Sequence, residues 1–249
     1  MNGDSESQAT YDLTNFTIRE MSECGKAMRT MSKGSASMEE TAGRIVRHFY
    51  EGLVDDEKGE RASALVRLYK THPFRDLDSE LQGFARTMLG GEPPSSDMKC
   101  LVLLATAGDK VEWNSRKHSQ GHKAIPLPSE EAVHQAPMVS NLITQLGIPL
   151  GMVIKPEPKL LLDMEQNTYN VFHVPEALGS PYIPAQQEFV APCGIRSVLG
   201  FGGLLPSGEM FAVIMFFKVP ISREVANLFK ALSLSVKMAV LPFDRAVFS

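Results

Sequence analysis

The sequence predicts an α+β fold, and three observations carry that prediction. Residues 197–216, SVLGFGGLLPSGEMFAVIMF, consist of two apolar runs separated by Pro206-Ser207-Gly208. Proline presets one φ and glycine supplies a positive φ, so this stretch is typical of a β-hairpin. A stripe of apolar residues at helical spacing follows the hairpin, and another such stripe ends at Leu53 near the start of the chain.

The glycines of the hairpin raise the alternative of a phosphate-binding loop. A dinucleotide-binding fingerprint needs Gly-x-Gly-x-x-Gly between a strand and a helix. Here Gly200, Gly202 and Gly203 are followed by two leucines, and the next apolar run is typical of a strand. No Gly-Lys-Ser/Thr of a Walker loop is present in the sequence. We therefore predict a hairpin whose glycines mark places where the strand bends or a neighbour packs closely.

Two helices are predicted before the first strand. The first spans 11–31, and a plain amphipathic helix or a coiled-coil seam would both explain its apolar spacing. The second begins at Ser37, which forms a capping-box pattern with Glu40, and presents an apolar face that ends at Leu53. The possible seam of the first helix consists of four residues at spacings of three and four: Met21, Cys24, Met28 and Met31.

The middle of the chain alternates between strand and helix signals. For 160–174 helix and strand both remain open, and 180–194 is predicted as loop. The last helix begins after Ser222 and ends before Pro242. The remaining predictions, in order, are a strand over 62–69, a helix over 78–89, a strand over 100–106, an irregular polar stretch over 109–128 and a helical stretch over 129–146 that Pro137 interrupts.

Composition and charge narrow the functional classes. Of the 249 residues, 43% are hydrophobic and 22% are charged, an ordinary globular mixture that can bury a core. The formal net charge of -4 argues against a nucleic-acid partner. No secretory signal is visible, and the longest strongly apolar stretch, Met210–Phe217, is too short to span a membrane. We therefore expect a cytoplasmic protein without a membrane partner.

Cysteine and histidine patterns give no catalytic or metal site. Cys24, Cys100 and Cys193 are far apart and form no CxxC motif, as is typical of reduced thiols. His118 and His122 have a spacing that would place both imidazoles on one face of a helix, where they could bind a metal. Their polar, glycine-containing surroundings favour a solvated loop instead. No catalytic residue is predicted, and the cofactor is unknown.

The carboxy-terminal part of the sequence resembles the GAF domain family. The resemblance rests on Ile195-Arg196-Ser197-Val198-Leu199, on the turn Ser207-Gly208-Glu209, and on Phe229 with Leu232 in the following helix. It covers residues 37–241 and implies a central antiparallel β-sheet flanked by helices. Residues 1–36 would then be an N-terminal tail with a signalling or dimerisation helix, and 242–249 a C-terminal tail.

This resemblance implies a regulatory function. Members of the family act as small-molecule sensing or dimerising modules that regulate an attached or partner output, such as a histidine kinase or a cyclase. We therefore expect a signal-transduction sensor that binds an unknown small molecule, forms a homodimer through its terminal helices and acts on an output domain or partner kinase. The alternative is a small-molecule enzyme on the same scaffold, such as a cysteine redox enzyme.

Seven residues are candidates for contact with the ligand. In GAF relatives the region before the hairpin lies over the ligand pocket, and the polar loop after residue 108 could reach the same place. Cys193 could be a reactive or chromophore-attached thiol, but its surroundings do not resemble the bilin-binding motif and favour a packed thiol. The alternative for the whole set is that these residues only cover one sheet face. The candidates are Trp113, Arg116, Tyr169, Phe172, His173, Tyr182 and Cys193.

Overall fold

The computed structural model describes residues 9–119, 121–157 and 169–248. Its strands are β1 (Tyr11–Asp12), β2 (Leu53–Asp55), β3 (Glu60–Arg61), β4 (Ser63–Pro73), β5 (Lys99–Gly108), β6 (Ala124–Leu127), β7 (Phe172–Val174), β8 (Ser197–Leu204) and β9 (Met210–Phe217). Its helices are α1 (Ile18–Thr30), α2 (Met38–Gly52), α3 (Ser79–Met88), α4 (Glu130–His134), α5 (Pro137–Leu146), α6 (Leu150–Ile154) and α7 (Arg223–Val240).

The centre of the fold is a six-stranded antiparallel sheet in the order β6-β5-β4-β9-β8-β7. One face packs against α1, α2 and α7 and is called the helix face below. The other face packs against α4, α5, α6 and the chain from Tyr169 to Ile195, and is called the loop face. Because both faces are covered, every residue of β5, β8 and β9 is buried.

The predicted fold class, an antiparallel sheet flanked by helices, is confirmed. The hairpin prediction is confirmed as well, since β8 and β9 pair from Ser197 opposite Phe217 to Leu204 opposite Met210. Helix α3, the break at Pro137 and the Ser222 cap of α7 lie where the sequence predicts them.

The glycines of the hairpin lie where neighbours approach closely, as predicted. A Cβ added to Gly200 would come 2.9 Å from Cδ1 of Leu142, and one added to Gly203 would come 2.8 Å from the Tyr169 ring. A Cβ on Gly202 would collide with the carbonyl oxygen of Phe211 on the paired strand. These positions therefore exclude larger residues for steric reasons.

The first helix begins later than predicted. Tyr11 and Asp12 form a short strand parallel to Leu53 and Val54, and α1 starts only at Ile18. Thr17 forms a capping box with Glu20, which fixes the first turn of the helix there. Local capping therefore overrides the apolar spacing that extended the prediction back to residue 11.

Two further predictions need correction. Ser37 caps α2 through the Glu40 amide at 3.1 Å, but the Glu40 carboxylate accepts from the Ala36 amide at 2.8 Å instead of closing the capping box. The stretch 109–128 is not wholly irregular, because β6 pairs with β5 at the edge of the sheet, where Pro126 can be accommodated. Of the segment 160–174, left open between helix and strand, the described end forms strand β7, and residues 160–168 lie outside the described residues.

The apolar residues of α1 pack into the core of the same chain. Cys24 and Met28 are fully buried in the core of the helix face, and Met21 and Met31 pack partly buried against it. Helix α1 lies against α7 so closely that a Cβ added to Gly25 would come 2.9 Å from the Ser235 hydroxyl. A homodimer therefore cannot use this seam while α1 is packed as described.

Two glycine substitutions test the conformation of the hairpin turn. Gly208 has a φ of +83°, whereas Gly43 lies within α2 with no atom near its missing Cβ. We expect Gly208→Ala to lower the free energy of unfolding by about 1–2 kcal/mol, because an L side chain is strained there. The matched Gly43→Ala change should raise it by about 0.5–1 kcal/mol. Urea unfolding measures both, and equal effects of the same sign would contradict the turn.

Candidate functional site

A row of residues crosses the loop face of the sheet and contains one arginine. Arg67 in β4 lies directly opposite Thr106 of β5 on one side and Ile214 of β9 on the other. The row continues through Gly200 of β8 to Phe172 of β7. Directly opposite residues point to the same side of a sheet. Arg67 is therefore a partly buried cation on a mostly apolar sheet face, with Thr106 directly beside it.

The guanidinium of Arg67 has only neutral hydrogen-bond partners among the described residues. Nη1 donates to the Tyr69 hydroxyl at 3.2 Å, and Nη2 donates to the Ser119 hydroxyl at 3.2 Å. Its Nε is buried and has no hydrogen-bond partner among these residues. No carboxylate in the described ranges comes within ion-pair distance of Arg67.

Thr106 adds a second unsatisfied polar atom beside the arginine. Its side chain is 5% exposed, and its hydroxyl finds no hydrogen-bond partner in the part of the chain that the structure describes. A buried polar group without a partner costs about 1–3 kcal/mol. Two such groups side by side on one face are therefore an arrangement that stability alone does not favour.

An aromatic cluster borders Arg67 and Thr106 on the loop face. The Trp113 ring lies over Gly108, where an added Cβ would come 2.9 Å from Cε3, and its centroid is 5.6 Å from that of Phe189. Phe189 in turn packs against Phe216 at 4.9 Å. Gly108 and Phe216 lie two residues along their strands from the row of Arg67, a step of about 7 Å. We call Arg67, Tyr69, Thr106, Trp113 and Ser119 the Arg67 site.

The predicted candidate Arg116 points away from the loop face. Its guanidinium forms two hydrogen bonds with the Glu39 carboxylate at 2.6 and 2.9 Å, and it lies 5.1 Å over the Phe248 ring. Glu39 belongs to the first turn of α2, whose Met38 and Glu39 amides donate to the carbonyls of residues 246 and 247. Arg116 thus joins the start of α2 to the end of the chain.

Tyr169 and Phe172 lie at the far edge of the loop face. Both are buried, Tyr169 over Gly203 and Phe172 against Gly200. Phe172 shares its row with Arg67 but lies three strands away, about 14 Å. They therefore belong to a different part of the face from the Arg67 site.

His173 and Tyr182 line a shallow depression of about 280 Å³ outside the sheet edge. The His173 Nε2 is 3.0 Å from the Ile221 carbonyl oxygen, and burial lowers the pKa of the imidazole. Cys193 is partly buried, and burial raises the pKa of its thiol while the nearby charge of Lys110 acts to lower it. The Lys110 ammonium lies 4.9 Å from the centre of the Trp113 ring. The structure therefore places Trp113 and Cys193 in one neighbourhood and His173 and Tyr182 in another, and the binding roles of all seven candidates stay predictions.

Four residues of the Arg67 site were missed from the sequence. Arg67 carried a usable signal, since it is a charged residue inside the apolar stretch ALVRLY of a strand. Tyr69, Thr106 and Ser119 carried none, because their proximity depends on strand pairing and on the path of a distant loop.

A second polar cluster, formed by Lys99, Glu209 and Thr71, lies at the end of the sheet beside His72, whose buried Nε2 has no hydrogen-bond partner among the described residues. Glu209 forms a buried ion pair with Lys99 and accepts a hydrogen bond from the Thr71 hydroxyl at 2.6 Å. The Thr71 hydroxyl accepts from the Met210 amide at 2.8 Å. This cluster joins the hairpin turn to β4 and β5, so a structural role accounts for it.

The alternative of a metal site at His118 and His122 gains no support from a third ligand. The structure contains no cluster of three or more His, Cys, Asp or Glu side chains able to hold a metal within the ranges it describes. His122 lies in the loop before β6 with a φ of +58°.

Comparisons with known proteins find similarity only at the level of solved structures. No protein-family model and no curated protein sequence matches the chain. The free methionine-R-sulfoxide reductase of Neisseria meningitidis, solved with its substrate, has 10% identity over 96% of this chain and 99% of its own, with a TM-score of 0.49.

Two GAF domains of phosphoenolpyruvate-protein phosphotransferases are also similar. The Acinetobacter domain has 13% identity, covers 91% of this chain and 95% of its own, and has a TM-score of 0.45. The Coxiella burnetii domain has 11% identity, covers 91% of this chain and 94% of its own, and has a TM-score of 0.42. At these scores the neighbours bring no activity or ligand to this chain. The GAF-like architecture rests on the sheet and its flanking helices described above.

The three thiols should react slowly in the folded protein. Burial raises the pKa of Cys24 and of Cys100 to about 12 and also raises the pKa of Cys193. Because the thiolate is the nucleophile, a raised pKa lowers the reactive fraction near neutral pH. With a disulfide reagent at pH 8 we expect slow reaction of Cys193 and reaction of the other two only after unfolding. Cys193→Ser is the control, and any native thiol faster than free cysteine would contradict this.

Proposed function

We propose that the chain is a regulatory sensor module that binds a small molecule at the Arg67 site and acts on an output domain or partner kinase. The observation that carries the proposal is the placement of Arg67 and Thr106 on a buried sheet face without hydrogen-bond partners for Nε and Oγ1 among the described residues. A bound ligand would supply the missing acceptor and offset the cost of leaving these buried polar atoms unpaired.

The residue composition of the surroundings supports a ligand-binding role. A small-molecule site is mostly apolar with a few polar groups that fix orientation. The Arg67 site has this composition, because Trp113 and Phe189 border the polar groups and Ile214 lies in the same row. Ser119 covers it from a loop, an element that opens more readily than a packed helix or strand.

The competing proposal of a cysteine redox enzyme is weakened by the state of the thiols. Cys24 is fully buried with its Sγ 3.7 Å from Nε2 of His48, and Cys100 is buried on β5. Cys193 is the most accessible of the three, and burial raises its pKa as well. An activated thiol would need the opposite shift.

Location and partners follow as parts of the same proposal. We propose a cytoplasmic module of a signal-transduction system, such as a two-component system, without a nucleic-acid or membrane partner. Among the described residues, the segment Arg223–Phe243 is long and apolar enough to cross a membrane by length and composition alone. Half of it is buried inside the protein, and core helices meet the same criterion, so the packing of α7 explains its composition.

We further propose that a homodimer forms through the outer face of α7. Leu234, Met238 and Leu241 are 62%, 51% and 39% exposed and follow one another at spacings of four and three residues. This is the spacing of a helix-pairing seam. On its inner side α7 is joined to β8, since the Ser233 hydroxyl donates to the Gly202 carbonyl at 2.6 Å. A change in the sheet could therefore reach the seam directly.

The dimer is tested by charge insertion on this stripe. We expect the wild-type chain to sediment as a dimer and Leu234→Asp to sediment as a monomer, because a buried unpaired carboxylate opposes association. Val111→Asp is the matched control, since Val111 is 86% exposed and lies in the loop after β5. A wild-type monomer, or a Leu234→Asp dimer, would contradict the interface.

The sensor proposal is tested with a panel of metabolites and the single tryptophan of the chain. A ligand that binds only the folded state raises its stability, by about 2.7 kcal/mol at a hundredfold excess over Kd. We expect at least one compound to raise the melting temperature and to change the emission of Trp113, which borders the site. Binding that leaves Trp113 emission unchanged would place the site elsewhere, and a panel without any binder would refute the proposal.

A further inference from the structure

We infer that the ligand of the Arg67 site is a small monocarboxylate with an apolar body, whose carboxylate bonds Nε of Arg67 and the hydroxyl of Thr106. The inference rests on the proposed function, because it names the class of molecule that the same site takes.

The free donors of the site match a carboxylate. A guanidinium has five N–H groups, and Arg67 gives one from Nη1 to Tyr69 and one from Nη2 to Ser119. Its Nε–H remains without an acceptor among the described residues. A carboxylate accepts two parallel hydrogen bonds from the edge of a guanidinium that contains Nε. Thr106, directly across from Arg67, can donate a further hydrogen bond to the same anion.

The charge of the site favours a monoanion. Arg67 supplies one positive charge, and its contacts Tyr69 and Ser119 and its cross-strand neighbours Thr106 and Ile214 are neutral. A monocarboxylate would neutralise this charge. A phosphate dianion would leave an excess negative charge in a mostly apolar place, where charges are poorly solvated.

The aromatic side chains that border the site favour an apolar body on the carboxylate. Trp113, Phe189 and Phe216 form a continuous aromatic cluster one row along the strands from Arg67. Aromatic faces and edges pack well against flat or branched apolar groups. A carboxylate anchored at Arg67 would therefore extend its apolar part along the strands towards Trp113.

A purely structural role of Arg67 leaves part of this arrangement unexplained. If Arg67 only held the loop of Ser119 in place, its bonds to Ser119 and Tyr69 would suffice. The buried hydroxyl of Thr106 contributes nothing to that role, and valine would pack in the same volume without an unpaired polar atom. The two roles therefore predict different behaviour for Thr106→Val.

The experiment compares two carboxylates with their amides on the full chain. Benzoate and isovalerate are titrated against the wild-type protein, followed by Trp113 fluorescence and calorimetry, with benzamide, isovaleramide and inorganic phosphate in parallel. We expect at least one carboxylate to bind and the neutral amides and phosphate to bind at least about tenfold more weakly, since an ion-paired hydrogen bond is lost.

Three variants separate the anchor from the scaffold. Thr106→Val should keep or raise the melting temperature of the free protein while it weakens carboxylate binding by about tenfold. Arg67→Met should abolish that binding. Arg47→Met is the matched control, because Arg47 lies exposed on α2 and its loss should change neither property.

The outcomes distinguish this inference from the function on which it rests. Amides that bind as tightly as the carboxylates, or carboxylate binding that survives Arg67→Met, would overturn the monocarboxylate and leave the sensor intact. Neutral compounds that bind at Trp113 while both carboxylates fail would do the same. If no compound of either kind binds and the metabolite panel is also empty, the sensor function fails as well.

Discussion

The burial of both sheet faces is the constraint on which the rest of the structure depends. Helices α1, α2 and α7 cover one face, and α4–α6 with the loops cover the other, so β5, β8 and β9 have no exposed residue. Under this constraint the strands must be apolar throughout, and any polar side chain in them must find a partner or carry a cost. The few polar side chains in the strands therefore show where the sheet does more than pack.

Two polar clusters in the strands differ in whether their side chains find hydrogen-bond partners. At the end of the sheet, Lys99, Glu209 and Thr71 satisfy one another and fix the hairpin turn against the neighbouring strands. On the loop face, Arg67 and Thr106 keep a donor and a hydroxyl unpaired among the described residues. Removal of one member of the satisfied cluster should destabilise the fold, whereas Thr106 can lose its hydroxyl without loss of stability. Ser63 Oγ and His72 Nε2 are also unpaired among the described residues, but only Arg67 and Thr106 place two such groups directly opposite each other.

The structural features that were predicted correctly from the sequence depend on residues close to one another along the chain. The turn at Gly208, the cap at Ser222 and the break at Pro137 act within a few residues, and the structure has all of them. The start of α1 was misplaced because the capping of Thr17 outweighs apolar spacing, and β6 was missed because four residues at a sheet edge carry little periodicity.

The site depends on distant pairing, which residue types alone do not reveal. Thr106 meets Arg67 only through the register of β4 and β5, and a bulge between Leu68 and Tyr69 shifts that register. Arg116 was grouped with Trp113 by proximity in sequence, yet the chain turns between them and Arg116 pairs with Glu39. A charged residue within a continuous apolar strand was the one visible signal of the site.

The most direct test of the central claim is the side-chain Nε–Hε resonance of Arg67 in a nitrogen–proton correlation spectrum, identified by its absence in Arg67→Met. Because this N–H is buried, the resonance should be visible in the free protein at the shift of a group without an anionic partner. Addition of benzoate should move the proton downfield in step with ligand occupancy. A resonance that stays in place while benzoate is bound would contradict the account, as would one already downfield in the free protein.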